Sequence, residues 1–212
     1  MADKVYNFYP GPATLPSPAL EKAKEELLDY QGTGVSVMEI SHRSKQYDKI
    51  HHDAMDLARE LMDLDDEFKI LWLQGGASTQ FYMVPQKAPE DVPLVADMSS
   101  NIMDKQMDYN KFSVIYAGAQ KNMGPAGTTL VAVRENLLDR VPEDTPTMLK
   151  WATHAKKDSM FNTPPAWAVY ICKLSLEYLK EIGGVAEVER RNRRKAKMLY
   201  DVIDGSDGFY RG

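Results

Sequence analysis

Along the chain, apolar residues fall into two kinds of pattern, and their alternation predicts an α/β fold. Leu20, Ala23, Leu27 and Leu28 repeat at helical spacing through Tyr30, with Ser17 placed to cap the helix and Pro18 at its first position. Gly32-Thr33-Gly34 stops it. A second amphipathic helix starts near Ser44 and puts Ile50, Ala54, Leu57, Ala58 and Leu61 on one face. The pattern then changes to short runs at Phe68 to Leu73, Leu94 to Ala96, Phe112 to Tyr116 and Thr129 to Val133, which read as strands buried on both faces. The first run crosses Gly75-Gly76 into a helix beginning at Ala77. Past Pro164-Pro165 a long helix carries Ala168, Ile171, Leu174 and Leu179 up to Gly183-Gly184. Another then places Val188, Ala196, Leu199 and Ile203 on one face, and the residues from Gly205 to Gly212 form a stub.

Composition narrows the class. With 212 residues, 43% hydrophobic and 27% charged, the chain has material for one large core. Its opening, from Phe8 to Pro18, holds four of the twelve prolines and reads as an irregular arm. A net charge of −5 excludes general affinity for nucleic acid or anionic membrane, so any anionic ligand must meet a local positive site. The basic run Arg190 to Lys195 is flanked by Glu187, Glu189 and Asp201 and reads as a solvated helix face. The single cysteine, Cys172, sits in an apolar stretch and reads as a core thiol in a reducing compartment. No leader-like apolar segment opens the sequence, and no run approaches the roughly 18–20 apolar residues that span a bilayer. A cytoplasmic, soluble protein is expected.

In open α/β sheets ligands gather beyond the carboxyl ends of strands, which directs attention to Gly75–Thr79, Asp97–Ser100 and Gly118–Asn122. The first segment offers backbone N–H groups at a helix start, suited to a phosphate, or else a tight turn capped by Ser78 or Thr79. Asp97, at the end of a buried run, needs a cation or several donors. Lys121 follows another such run among glycines. The two could form a structural ion pair. They also match what pyridoxal 5'-phosphate requires: an amine, a carboxylate for the pyridinium nitrogen, and a helix terminus for the phosphate. The phosphate loop of NTPases and the dinucleotide fingerprint are both absent, and adjacent His51-His52 point to different helix faces, so no metal site is expected.

Six segments in order, Asn7 to Ala13, Ser36 to Ser44, Gln74 to Phe81, Val95 to Asn101, Tyr116 to Asn122 and Asn162 to Pro165, resemble the phosphoserine aminotransferases of the class-V aminotransferase family. The resemblance implies a fold-type I large domain, a mostly parallel sheet flanked by helices. It also implies pyridoxal phosphate as cofactor, a homodimer, and amino exchange between glutamate and 3-phosphohydroxypyruvate, or between phosphoserine and 2-oxoglutarate, in serine biosynthesis. Carried onto this chain, it makes Lys121 the catalytic lysine bearing the cofactor, Asp97 the pyridinium partner and Gln120 a further cofactor ligand. Ala77 and Ser78 would hold the phosphate. Asn162 and Thr163 would reach the neighbouring subunit's cofactor, and Arg43, beside His42, would bind a substrate anion; the bland alternative for Arg43 is an exposed loop arginine.

The same resemblance divides the chain into an arm at 1–15, an incomplete cofactor domain at 16–182, and a connecting helix at 183–212 leading toward a small domain. Between about 86 and 92 a long stretch of the family is replaced by a few residues, and with it go a ring-stacking aromatic and a cofactor-contacting threonine. Trp72, Trp151 and Trp167 do not match the stacker's position. The family's later histidine-arginine pair for substrate phosphate and its arginine for the α-carboxylate have no counterpart. The competing expectation is therefore a shortened, non-catalytic cofactor-binding or dimerisation fragment.

Overall fold

The computed structural model describes residues 5–83 and 93–211. The shortened stretch expected between about 86 and 92 lies outside the described residues, as do Met1 to Lys4 of the arm. Four strands, β1 (Phe68–Leu73), β2 (Val95–Asp97), β3 (Val114–Gly118) and β4 (Thr129–Arg134), form one sheet in the order β1-β4-β3-β2. β2 pairs parallel with β3, whereas β4 runs against both β1 and β3, so three strands share one direction. The reversal of β4 follows from its connection: the stretch 119–128 is too short for the crossover that a parallel neighbour requires.

Strand periodicity sorts the side chains into two layers. Ile70, Trp72, Ile115, Ala117, Leu130 and Ala132 face α2 (Lys45–Met62) and α5 (Ala166–Glu181), joined by Ala54, Ala58, Val169 and Cys172. Leu71, Leu73, Val114, Tyr116, Val131 and Val133 face the other way, toward Met83 of α3 (Gly76–Met83) and Trp151 of α4 (Trp151–Ala155). Outside α5 lies α1 (Ser17–Glu25), where Ala19 and Ala23 pack with Tyr170 and Ile171. The Tyr170 hydroxyl donates to buried Glu26, whose carboxylate also meets Lys22 at 2.8 Å.

Several expected details are corrected. Ser17 is the first residue of α1 and not its cap: Pro16 occupies that position, no side chain caps the helix, and it ends at Glu25 well short of Tyr30. Ser44 does cap α2, accepting the Tyr47 N–H at 3.2 Å. β1, β3 and β4 are buried almost throughout, but β2 is an edge strand with Val95 and Ala96 half-buried and Asp97 exposed. On α6 (Gly184–Asp204) only Val185 is buried. Ala196 and Leu199 of its apolar face are exposed, whereas its basic run is solvated as expected, with Arg190 and Arg191 paired to Glu187 and Arg193 to Glu189.

Candidate active site

Because β1, β2 and β3 share a direction, the loops after them meet at one end of the sheet. Leu73 and Gly118 both stand level with Thr129, and Asp97 stands level with Tyr116. The outermost of these ends are three strand spacings apart, about 14 Å. The β1-to-α3 turn, the start of the β2-to-β3 connection and the β3-to-β4 connection therefore deliver their polar residues to a common area.

After β1, Gly75 and Gly76 take φ of +90° and +61°, and a Cβ at Gly75 would lie 1.9 Å from Thr79 Oγ1. The Thr79 N–H and hydroxyl both donate to the Gly75 carbonyl, at 3.3 and 3.2 Å. Thr79 thus bonds backward and does not cap the helix by accepting an N–H. Among the described residues, the N–H groups of Gly76, Ala77 and Ser78 have no acceptor, which leaves three donors at the positive end of α3. Ala77 is half-buried and Ser78 exposed.

After β2, Asp97 Oδ1 accepts the Ser99 N–H at 2.9 Å and the Ser99 hydroxyl at 2.7 Å. Ser99 Oγ accepts the Gly118 N–H at 2.9 Å, so one buried serine fixes the carboxylate and ties the ends of β2 and β3 together. Burial, and next the Asp97 carboxylate, push the neighbouring Tyr116 phenol upward. No hydrogen bond reaches Asp97 Oδ2 from the described residues.

After β3, exposed Lys121 donates from Nζ to Ser100 Oγ at 2.9 Å. No ion pair joins Lys121 to Asp97 among the described residues, because each charge is held on a different serine of one loop. Half-buried Gln120 lays its amide over Gly118, where a Cβ would be 2.8 Å from Oε1, and its carbonyl accepts the Ala13 N–H at 2.8 Å. The arm thereby crosses the site. A Cβ on Gly11 would sit 3.3 Å from Lys121 Cγ.

The other sequence-predicted residues lie elsewhere. Asn162 and Thr163 are exposed beside the edge strand β1, with the Thr163 carbonyl accepting from Gln74 Nε2 at 2.9 Å and Asn162 lining a cavity with Gly75 and Thr79. His42 and Arg43 line a different cavity with Lys156, Lys157 and Asp158, and the structure does not bring them to Lys121 within one chain. Trp72 and Trp151 are core residues. Burial pushes the Cys172 thiol up, so it is no nucleophile. Ser99 and Ser100 lie within the Asp97–Ser100 stretch that the sequence points to but carry no role there, and Gly11 and Ala13 carry none either, although Asp-x-Ser after a strand is a turn signature that marks Ser99.

An exposed amine without an acidic partner, a carboxylate with one free oxygen and three unsatisfied N–H groups form a donor set that fits pyridoxal phosphate, a phosphate ester bearing a ring nitrogen and an aldehyde.

Comparison with known proteins gives the same chemistry. The profile of the family described as "Aminotransferase class-V" matches residues 5–93 and 86–211. Phosphoserine aminotransferase of Geobacillus kaustophilus is 39% identical over 283 residues, covering 98% of this chain and 79% of that protein. The Listeria monocytogenes protein of the same name is 43% identical over 281 residues, with 98% and 77% covered. Among solved structures, phosphoserine aminotransferase from Bacillus circulans subsp. alkalophilus superposes with a TM-score of 0.94 at 34% identity, covering 100% of this chain and 80% of the other. The pyridoxal-phosphate-bound enzyme from Trichomonas vaginalis gives 0.89 at 27% identity, with 95% and 82% covered.

Proposed function

This chain belongs to the class-V aminotransferase family, and from that membership we propose that it is a phosphoserine:2-oxoglutarate aminotransferase, a pyridoxal-phosphate-dependent transaminase. The observation that carries the reading is the convergence of Lys121, Asp97 and the free N–H groups of α3 at one sheet end. Its place is serine biosynthesis in the cytoplasm, moving an amino group between glutamate and 3-phosphohydroxypyruvate. The boundaries that go with it are a cofactor domain at 16–182, an arm at 1–15 and a connecting helix at 183–212.

Bound pyridoxal phosphate supplies a ring that accepts the electron pair of the substrate Cα–H bond. Asp97 Oδ2 would accept from the ring nitrogen and keep it protonated, while Ser99, donating twice to Oδ1, keeps the carboxylate from rotating. The N–H groups of Ala77 and Ser78 would hold the phosphate, and Gln120 would be a further cofactor ligand. Lys121 Nζ would carry the cofactor and is the base that would hold and move the substrate Cα proton. Asn162 and Thr163 flank β1, and the reading assigns these two to the neighbouring site of a two-fold homodimer, with Arg43, beside His42, as a substrate-anion residue. The Arg43 guanidinium suits a carboxylate or phosphate.

A steady-state assay with phosphoserine and 2-oxoglutarate tests this. Glutamate is expected to form only with pyridoxal phosphate present, and Lys121→Ala should lower the rate about 100-fold or more. Cofactor uptake with no glutamate formed would instead identify a non-catalytic cofactor-binding fragment.

A further inference from the structure

Lysine is a poor choice for precise placement, because its four-carbon stem samples many rotamers when exposed. Lys121 is exposed and sits in the loop between β3 and β4, yet both ends of its side chain are constrained. Near the backbone, Gly11 of the arm approaches so closely that a Cβ there would meet Lys121 Cγ at 3.3 Å. The arm itself is anchored one residue before the lysine, by the Ala13 N–H on the Gln120 carbonyl at 2.8 Å. At the far end, Nζ donates to Ser100 Oγ at 2.9 Å.

Ser100 stands three residues after Asp97 on the same loop, and Ser99 ties that loop to Gly118 at the end of β3. The hydroxyl that receives the amine therefore keeps a fixed place relative to the carboxylate. A direct Lys121–Asp97 contact would consume both groups, whereas a neutral acceptor holds the amine and leaves the carboxylate free. We infer that Ser100 is a positioning residue for the Lys121 amine in its reaction with the cofactor aldehyde.

The inference rests on the reading of Lys121 given above. In the neutral amine, one N–H engaged by Ser100 Oγ, on a stem that runs beside Gly11 of the arm, confines the nitrogen lone pair to a narrow set of directions. That lone pair forms the bond to the aldehyde carbon. The carbon–oxygen bond then breaks, and the oxygen leaves as water with the two protons of the amine. Ser100 gains and loses no atom; it limits the directions from which the bond can form.

The test mixes apo-protein rapidly with pyridoxal phosphate and follows the absorbance of the lysine-bound cofactor, for wild type, Ser100→Ala and Ser100→Thr. Pyridoxal, which lacks the phosphate, serves as a second probe. Ser100→Ala is expected to slow attachment about three- to ten-fold, the factor commanded by one neutral hydrogen bond. Ser100→Thr keeps the hydroxyl and restores the rate. The deficit is the same with pyridoxal, since it does not depend on the α3 phosphate site, and thermal midpoints stay level because Ser100 is exposed. Equal rates for wild type and Ser100→Ala, a Thr variant as slow as the Ala variant, or a deficit seen only with the phosphorylated probe would each overturn the inference while leaving the role of Lys121 standing. Failure of wild type to attach either probe at Lys121 would overturn both.

Discussion

His51 is fully buried on α2, with Nδ1 3.5 Å from the Tyr47 hydroxyl and the Asp158 backbone nearby. Burial, above all else, lowers its pKa from 6.5 to about 4. Since the unfolded imidazole binds a proton that the folded one refuses, the stabilising contribution is complete above pH 6.5 and is lost as pH falls toward 4, by up to about 3 kcal/mol. Urea midpoints at pH 7 and pH 4.5 should therefore differ in wild type and converge in His51→Leu; an unchanged difference in the variant would assign the acid sensitivity to other groups. At this scale the sequence already marked Lys121, Asp97 and the Ala77-Ser78 turn, because amines, carboxylates and glycine turns after buried runs are visible as letters. Ser100 lay within the marked Asp97–Ser100 stretch but carried no role, since a hydroxyl's role depends on which loop comes to lie beside it, and that is decided by the pairing of β2 with β3. Arg43 shows the converse limit: its chemistry was legible, but its distance from Lys121 was not.

Among the elements, the β3–β4 connection places Lys121 by leaning on α5. A Cβ added at Gly124 would fall 2.3 Å from Cys172 Sγ and 3.3 Å from Cys172 Cα, so the loop can follow its path only without a side chain there. Gly124→Ala is expected to destabilise by about 1–3 kcal/mol through overpacking. Adding Cys172→Ala should recover part of that loss in equilibrium unfolding, and purely additive losses would place the strain elsewhere. Strand runs and the Ser44 cap were legible because period and capping are local. The end of α1 was not: Pro16 took the cap position from Ser17, and helical spacing continued through Leu27 and Leu28 although the backbone leaves the helix after Glu25. The half-exposure of β2 was hidden too, because a three-residue apolar run reads the same at an edge as in the middle of a sheet.

For the whole molecule, the α/β class followed from periodicity and a sheet flanked by helices from the resemblance, while association did not follow from periodicity, because a partner's surface is not written in the helix that meets it. Met198, Leu199, Tyr200 and Val202 on α6 are each more than 60% exposed, with Phe209 and Tyr210 beyond them. Sedimentation of the cofactor-loaded protein should give a dimer, and Asn162→Ala should weaken cofactor binding if that residue serves the neighbouring site; a monomer that binds cofactor undiminished would contradict the assignment. The chain spans 79% of the Geobacillus kaustophilus relative. The central claim, that Lys121 carries the cofactor, is tested most directly by incubating the protein with pyridoxal phosphate, reducing with borohydride and mapping the peptides. The account predicts a single reduced adduct on the peptide containing Gln120-Lys121-Asn122, absent in Lys121→Ala; an adduct on a different lysine, or none, would contradict it.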